Sequence, residues 1–182
     1  MKKILAPTLI AGLAMAAFAG VNSGLAKGES VSAFHPYHVS GPLANSSSCF
    51  PCTFKNRPQV QVWVNGDDMG NVATIAKTLE AAVSNNSKAE FKAMVVFVTS
   101  DVDATKKTVA EIAKKTGYKN IAMSVLSKDD SAVKAYKFNV SSDVKNTVFA
   151  YKNWKVENKM VNLKADKAGI SALSTAISDL VK

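Results

Sequence analysis

The sequence predicts a single α/β domain, a central mixed sheet with helices packed on both faces. Three observations lead there. Strand-like runs alternate along the chain with stretches in which apolar residues return at helical spacing. One of those runs, residues 93–98 (AMVVFV), is apolar without interruption, as in a strand covered on both faces of a parallel sheet. The chain is also long enough, at roughly 160 residues beyond its first segment, to bury one full core.

The first segment carries the three parts of a secretory signal peptide. Lys2 and Lys3 form its positive start, residues 4–18 are uncharged and apolar, and Ala17-Phe18-Ala19 is an A-x-A cleavage site. The uncharged run reaches Val21 and could span a bilayer, so an uncleaved anchor is the alternative; the A-x-A site favours cleavage before Gly20. Cleavage leaves a periplasmic or secreted protein, since nothing after residue 26 is apolar for long enough to cross a membrane. Residues 1–19 are thus read as signal peptide, 20–33 as a polar, flexible linker, and 34–182 as the domain.

Within the domain, residues 34–39 read as a short edge strand ending in the turn Ser40-Gly41-Pro42, and residues 45–48 as loop. Residues 59–64 form a strand launched by Pro58 and stopped by Asn65-Gly66. Val72, Ile75, Ala76, Leu79, Ala82 and Val83 then recur at helical spacing, with Asp67 or Asp68 as N-cap and Asn85-Asn86 as exit. After the 93–98 strand, Asp103 is expected to cap a helix that faces Val109, Ile112 and Ala113 inward and ends at Gly117. Residues 121–126 are a strand, 131–137 a short helix, and 147–151 with 155–163 a hairpin around Asn153-Trp154. Asp166 caps the last helix, whose Ile170, Leu173, Ile177 and Leu180 share one stripe.

Charge narrows the partners. The formal net charge of +9 falls to +7 without Lys2 and Lys3, and the excess lysines are scattered rather than massed. No aromatic-interleaved basic stripe is present, which argues against nucleic acid. Attraction to an anionic surface remains open beside the plainer reading of a solvated lysine-rich face.

The order of elements, together with a C-x-x-C, resembles the thioredoxin-like superfamily, in particular its peroxiredoxin and periplasmic thiol–disulfide reductase branch. Tyr136-Lys137-Phe138-Asn139-Val140 followed by Asn146-Thr147-Val148-Phe149-Ala150-Tyr151 is similar to that family's "YGV … PT-apolar strand" passage. Val39-Ser40-Gly41-Pro42 and Arg57-Pro58 fall where it has its N-terminal hairpin turn and the lead-in to the first core strand. The resemblance implies a thioredoxin-like three-layer sandwich with a central mixed sheet and an N-terminal hairpin. It implies exchange with a protein thiol or disulfide partner in the cell envelope, without a cofactor. The sequence departs from the family at two places. The reactive pair of thioredoxins follows the first core strand, where this chain has Asn65-Gly66-Asp67-Asp68-Met69-Gly70 and no cysteine. A cis-proline faces that pair in the family, and this chain has Asn146 before Thr147.

The chemistry rests on Cys49-Phe50-Pro51-Cys52, which holds the only two cysteines. Three readings stay open. The pair can be a permanent local disulfide in a non-catalytic binding or structural domain. It can exchange disulfides, Cys49 attacking and Cys52 resolving by analogy with the usual C-x-x-C order. Or His35 and His38, an H-x-x-H, can join Cys49 and Cys52 in a zinc or copper site, although residues three apart on a strand point to different faces. Exchange is the leading reading. Arg57, the only arginine, favours a thiolate if it folds back, and otherwise pairs with a carboxylate. Asp67-Asp68 and Asp129-Asp130 read as helix caps, Ser46-Ser47-Ser48 lacks an identifiable base, and Gly66/Gly70 lacks phosphate-loop spacing. Trp63, Phe97, Phe149 and Tyr151 read as core, and Trp154 as an exposed hairpin tip.

Overall fold

A computed structural model describes residues 21–182, so the signal-peptide reading of residues 1–19 and the cleavage point before Gly20 lie outside the described residues. The sheet is organised around β2 (Gln59–Val64), all six of whose residues are buried. Alternation sends Val60, Val62 and Val64 to one face and Gln59, Gln61 and Trp63 to the other. On one side β2 pairs in parallel with β3 (Lys92–Thr99), which pairs in parallel with β4 (Ala122–Ser127). On the other it runs antiparallel to β5 (Asn146–Lys152), which continues into β6 (Lys155–Val161). With β1 (Tyr37–Ser40) antiparallel to β4, the strand order is β1-β4-β3-β2-β5-β6. The expected central mixed sheet is present, and this is a thioredoxin fold.

The first face is covered by three full helices. These are α2 (Met69–Asn85), α3 (Val102–Thr116) and α5 (Lys167–Leu180), whose Val72, Ile75, Leu79, Val109, Leu173 and Ile177 join the core. Each starts on an aspartate that accepts a backbone N–H of the first turn: Asp68 from Asn71, Asp101 from Ala104 and Asp166 from Gly169. The cap of α3 is therefore Asp101, not Asp103, which lies in the first turn of the helix. Gly117 ends α3 in the left-handed region, at φ 66°, where an L side chain is strained.

The second face is covered differently. It carries two five-residue helices, α1 (Phe50–Phe54) and α4 (Ser131–Ala135), and the irregular segment 21–34. That segment was expected to be a linker up to residue 33; instead Leu25 and Val31 are buried together with Phe34 against Trp63, Tyr136 and Phe149. It is tied down by backbone bonds from Gly24 to Lys137 and from Val31 to Trp154, and Tyr136 Oη donates to Ser32 O at 2.7 Å. Its close approach requires Gly24, where a Cβ would lie 2.5 Å from the Phe149 ring. The polar residues of β2 on this face form a closed ladder: Trp63 Nε1 donates to Gln61 Oε1, Gln61 Nε2 to Tyr151 Oη, and Tyr151 Oη to Gln59 Oε1. Burial raises the Tyr151 phenol well above its ordinary value, so it stays a neutral donor.

Two details refine the sequence reading. The N-terminal hairpin is rudimentary, a single antiparallel bridge between His38 and Ser46 beyond the turn at Gly41. The β5–β6 turn has positive φ at both Asn153 and Trp154, the geometry of a tight two-residue hairpin. This folds Trp154 back, half-buried, against the second core.

Candidate redox site

Cys49 and Cys52 are joined in a disulfide that spans the start of α1. The local sequence explains the short helix. Pro51 supplies a helical φ in the first turn, where a missing N–H is harmless. Cys49 is the N-cap: its Sγ accepts the Cys52 N–H at 3.1 Å, and its carbonyl accepts from both Thr53 N and Thr53 Oγ1. Phe50, fully buried, seats the helix in the second core and meets the Phe54 ring edge-on at 4.7 Å. Lys55 closes it at φ 52° with its N–H on Pro51 O. The two sulfur-bearing residues end up in different surroundings. Cys49 is buried, at 7% exposure, whereas Cys52 is exposed.

Both histidines hold the chain that enters the motif. His35 Nδ1 lies 3.0 Å from Ser47 O, and His38 Nε2 lies 2.8 Å from Ser48 O, next to Cys49. A carbonyl only accepts, so His38 carries its hydrogen on Nε2, leaving Nδ1 to accept from Ser124 Oγ at 2.7 Å. Burial pushes the His38 imidazole below its ordinary pKa, and the bond to Ser48 opposes this only in part. Three of the four residues weighed as a metal set, Cys49, Cys52 and His38, are therefore committed elsewhere. The two sulfurs bond each other, both His38 nitrogens are engaged, and no cluster of three or more metal-ligating side chains is found among the described residues. Arg57 does not fold back toward the cysteines; it pairs with Glu90 at 2.9 Å, on the surface.

The motif lies before β2, while the position occupied by cysteines in thioredoxins lies after it. Six residues at ~3.3 Å each separate those ends of the strand by about 20 Å. At the far end the chain has built a polar knot. Asp67 Oδ2 accepts from Asn71 Nδ2 at 2.7 Å and from Asn146 Nδ2 at 2.6 Å. Asn146 also donates to Leu163 O and accepts from Leu163 N, and Asn71 Oδ1 accepts from Ala165 N. Asn65 Nδ2 closes the next loop onto Ser141 O and Val144 O. These bonds tie the β2–α2, β4–β5 and β6–α5 connections together with fully used donors. Of Asp67 and Asp68, the two cap candidates in the sequence, Asp68 caps α2 while Asp67 and Asn146, the residue where the resembled family has its proline, join this knot. The signal available was a buried-strand position opening on an amide.

Comparison with known proteins agrees with the fold. No family model matches the chain, and no curated protein sequence matches it. Among solved structures it is similar to a candidate thiol:disulfide interchange protein, DsbE, of Chlorobium tepidum, at TM-score 0.64 and 13% identity over 87% of this chain and 99% of that one. PrxQ of Xylella fastidiosa superposes at TM-score 0.59 and 15% identity, covering 87% and 99%. A secreted Mycobacterium tuberculosis disulfide oxidoreductase homologous to E. coli DsbE superposes at 0.56 and 14%, covering 81% and 96%. Identities this low speak for the fold alone.

Proposed function

We propose that this chain is an exported thioredoxin-fold protein that exchanges disulfides, through Cys49 and Cys52, with a protein thiol or disulfide partner in the cell envelope. The observation that carries the reading is a disulfide between residues three apart in sequence, with one sulfur-bearing residue at the surface and a buried partner held beside it. So short a loop constrains the unfolded chain little, so the bond returns only about 2 kcal/mol of stability. An accessible bond that stabilises weakly suits exchange better than stapling. Export is supported by Lys2, Lys3, the apolar stretch and Ala17-Phe18-Ala19, and an oxidising compartment keeps the bond formed at rest.

A permanent structural disulfide is the second reading, favoured by one feature: Cys49 caps the helix that seats Phe50 in the core. Assays of insulin reduction and dithiol oxidation on the wild type and on the Cys49→Ser/Cys52→Ser double variant separate the two. Activity in the wild type that the double variant lacks supports exchange. Equal, uncatalysed rates in both leave the structural disulfide.

A further inference from the structure

Resting on the exchange reading, we infer that the motif works with reversed polarity: Cys52 is the sulfur that meets the partner, and Cys49 is the buried leaving and resolving sulfur. Thiol–disulfide exchange is an in-line displacement. The incoming thiolate must approach the attacked sulfur from the side opposite the sulfur that leaves. For attack on Cys49 that approach is hindered, because Cys49 is a buried residue and its neighbour Phe50 is packed into the second core. For attack on Cys52, an exposed residue followed by exposed Thr53, the approach comes from solvent.

The electron bookkeeping favours the same direction. A thiolate of a partner dithiol attacks Cys52 Sγ and forms a mixed disulfide there. The Cys49–Cys52 bond breaks, and its electron pair passes to Cys49 Sγ. That sulfur already accepts the Cys52 N–H at 3.1 Å, so a donor is in place for the developing thiolate. The second partner thiolate then attacks its own sulfur in the mixed disulfide and releases Cys52 as thiolate. The partner dithiol is oxidised by two electrons, the pair is reduced to two thiols, and the two partner protons reach them through solvent. Run backwards, Cys52 thiolate opens a partner disulfide and Cys49 resolves the intermediate by attacking Cys52 Sγ. His35 and His38 hold the loop carbonyls of Ser47 and Ser48 directly before Cys49.

The test uses glutathione on the full chain. Wild-type protein is mixed with reduced glutathione, quenched in acid, and the adduct is located by peptide fragmentation in the mass spectrometer. The glutathione is expected on Cys52; an adduct mainly on Cys49 would overturn the polarity. Independently, reduced Cys49→Ser should react with oxidised glutathione at least ~10-fold faster than reduced Cys52→Ser, because only the first leaves an exposed thiol. Equal rates, or the reverse order, count against the proposal. Should Cys49→Ser lose its native circular dichroism, the wild-type adduct map decides alone. A wild-type bond that resists glutathione while Cys49→Ser still reacts faster than Cys52→Ser removes the exchange function and leaves the assigned accessibility standing.

Discussion

Replacing both cysteines with serine is expected to leave a folded protein that is modestly less stable. The disulfide has a sequence separation of only 3, and loop closure this short restricts the unfolded chain by about 2 kcal/mol. Little else is lost at the site. A hydroxyl at position 49 can accept the N–H of residue 52 that Cys49 Sγ accepts now, and serine is a favoured N-cap. Phe50, which carries the apolar burial of α1, is untouched, and the larger core around Val62, Leu79, Val95 and Leu173 lies on the opposite face of the sheet. For a chain of this size, 1 kcal/mol moves the melting temperature by roughly 2–4 °C, so thermal unfolding should shift down by ~4–8 °C with its cooperativity kept. Far-ultraviolet circular dichroism, followed through thermal and urea unfolding, measures this. A double variant without a cooperative transition, or with a fall beyond ~15 °C, would make the bond a structural staple.

Three further outcomes follow from the packing. Gly24→Ala, which drives a Cβ to 2.5 Å from a fully buried Phe149 ring at φ 82°, should cost ~2 kcal/mol or more in urea unfolding; a neutral effect would mean that residues 21–34 do not pack as described. Asn146→Ala strips Asp67 and both backbone groups of Leu163 of a partner and should cost ~2–3 kcal/mol, yet leave the rate of exchange with glutathione unchanged, since the knot lies at the other end of β2. His38 is held neutral by burial, so below about pH 6.5 the unfolded chain takes up a proton that the folded chain refuses; stability should fall as pH drops from there until the lowered folded pKa is reached. In His38→Gln this part of the pH dependence of urea unfolding should vanish, and its persistence would show that another group is responsible.

What the sequence reveals of the fold depends on how locally each element is determined. β2 and β3 are legible because a run such as 93–98 has no other way to be satisfied than between two covered faces. α2 and α5 are legible because their stripes and capping aspartates agree. Asp101 and Asp103 both suit a cap, and the choice is made by Asp101 reaching Ala104 N. The segment 21–34 is illegible for a different reason. Leu25, Val31 and Phe34 follow no period, and their burial is decided by Trp63, Tyr136 and Phe149, far away in the chain. The site divides in the same way. The pair is plain in C-x-x-C, but its disulfide is distinguished from a metal pair only by the structure, and which cysteine is covered depends on how Phe50 seats α1. The H-x-x-H suggested metal because spacing says nothing of partners; Ser124, on the neighbouring strand, and the carbonyls of Ser47 and Ser48 take the ring nitrogens instead.

The reduction potential of the Cys49/Cys52 pair decides between exchange and a permanent bond. Equilibration of purified protein with glutathione redox buffers, read by acid quench and mass, gives the value. Exchange predicts a potential within the span of known oxidoreductases, between about −120 and −270 mV. A potential below about −300 mV, out of reach of the glutathione couple, would contradict the account and leave Cys49–Cys52 a permanent bond.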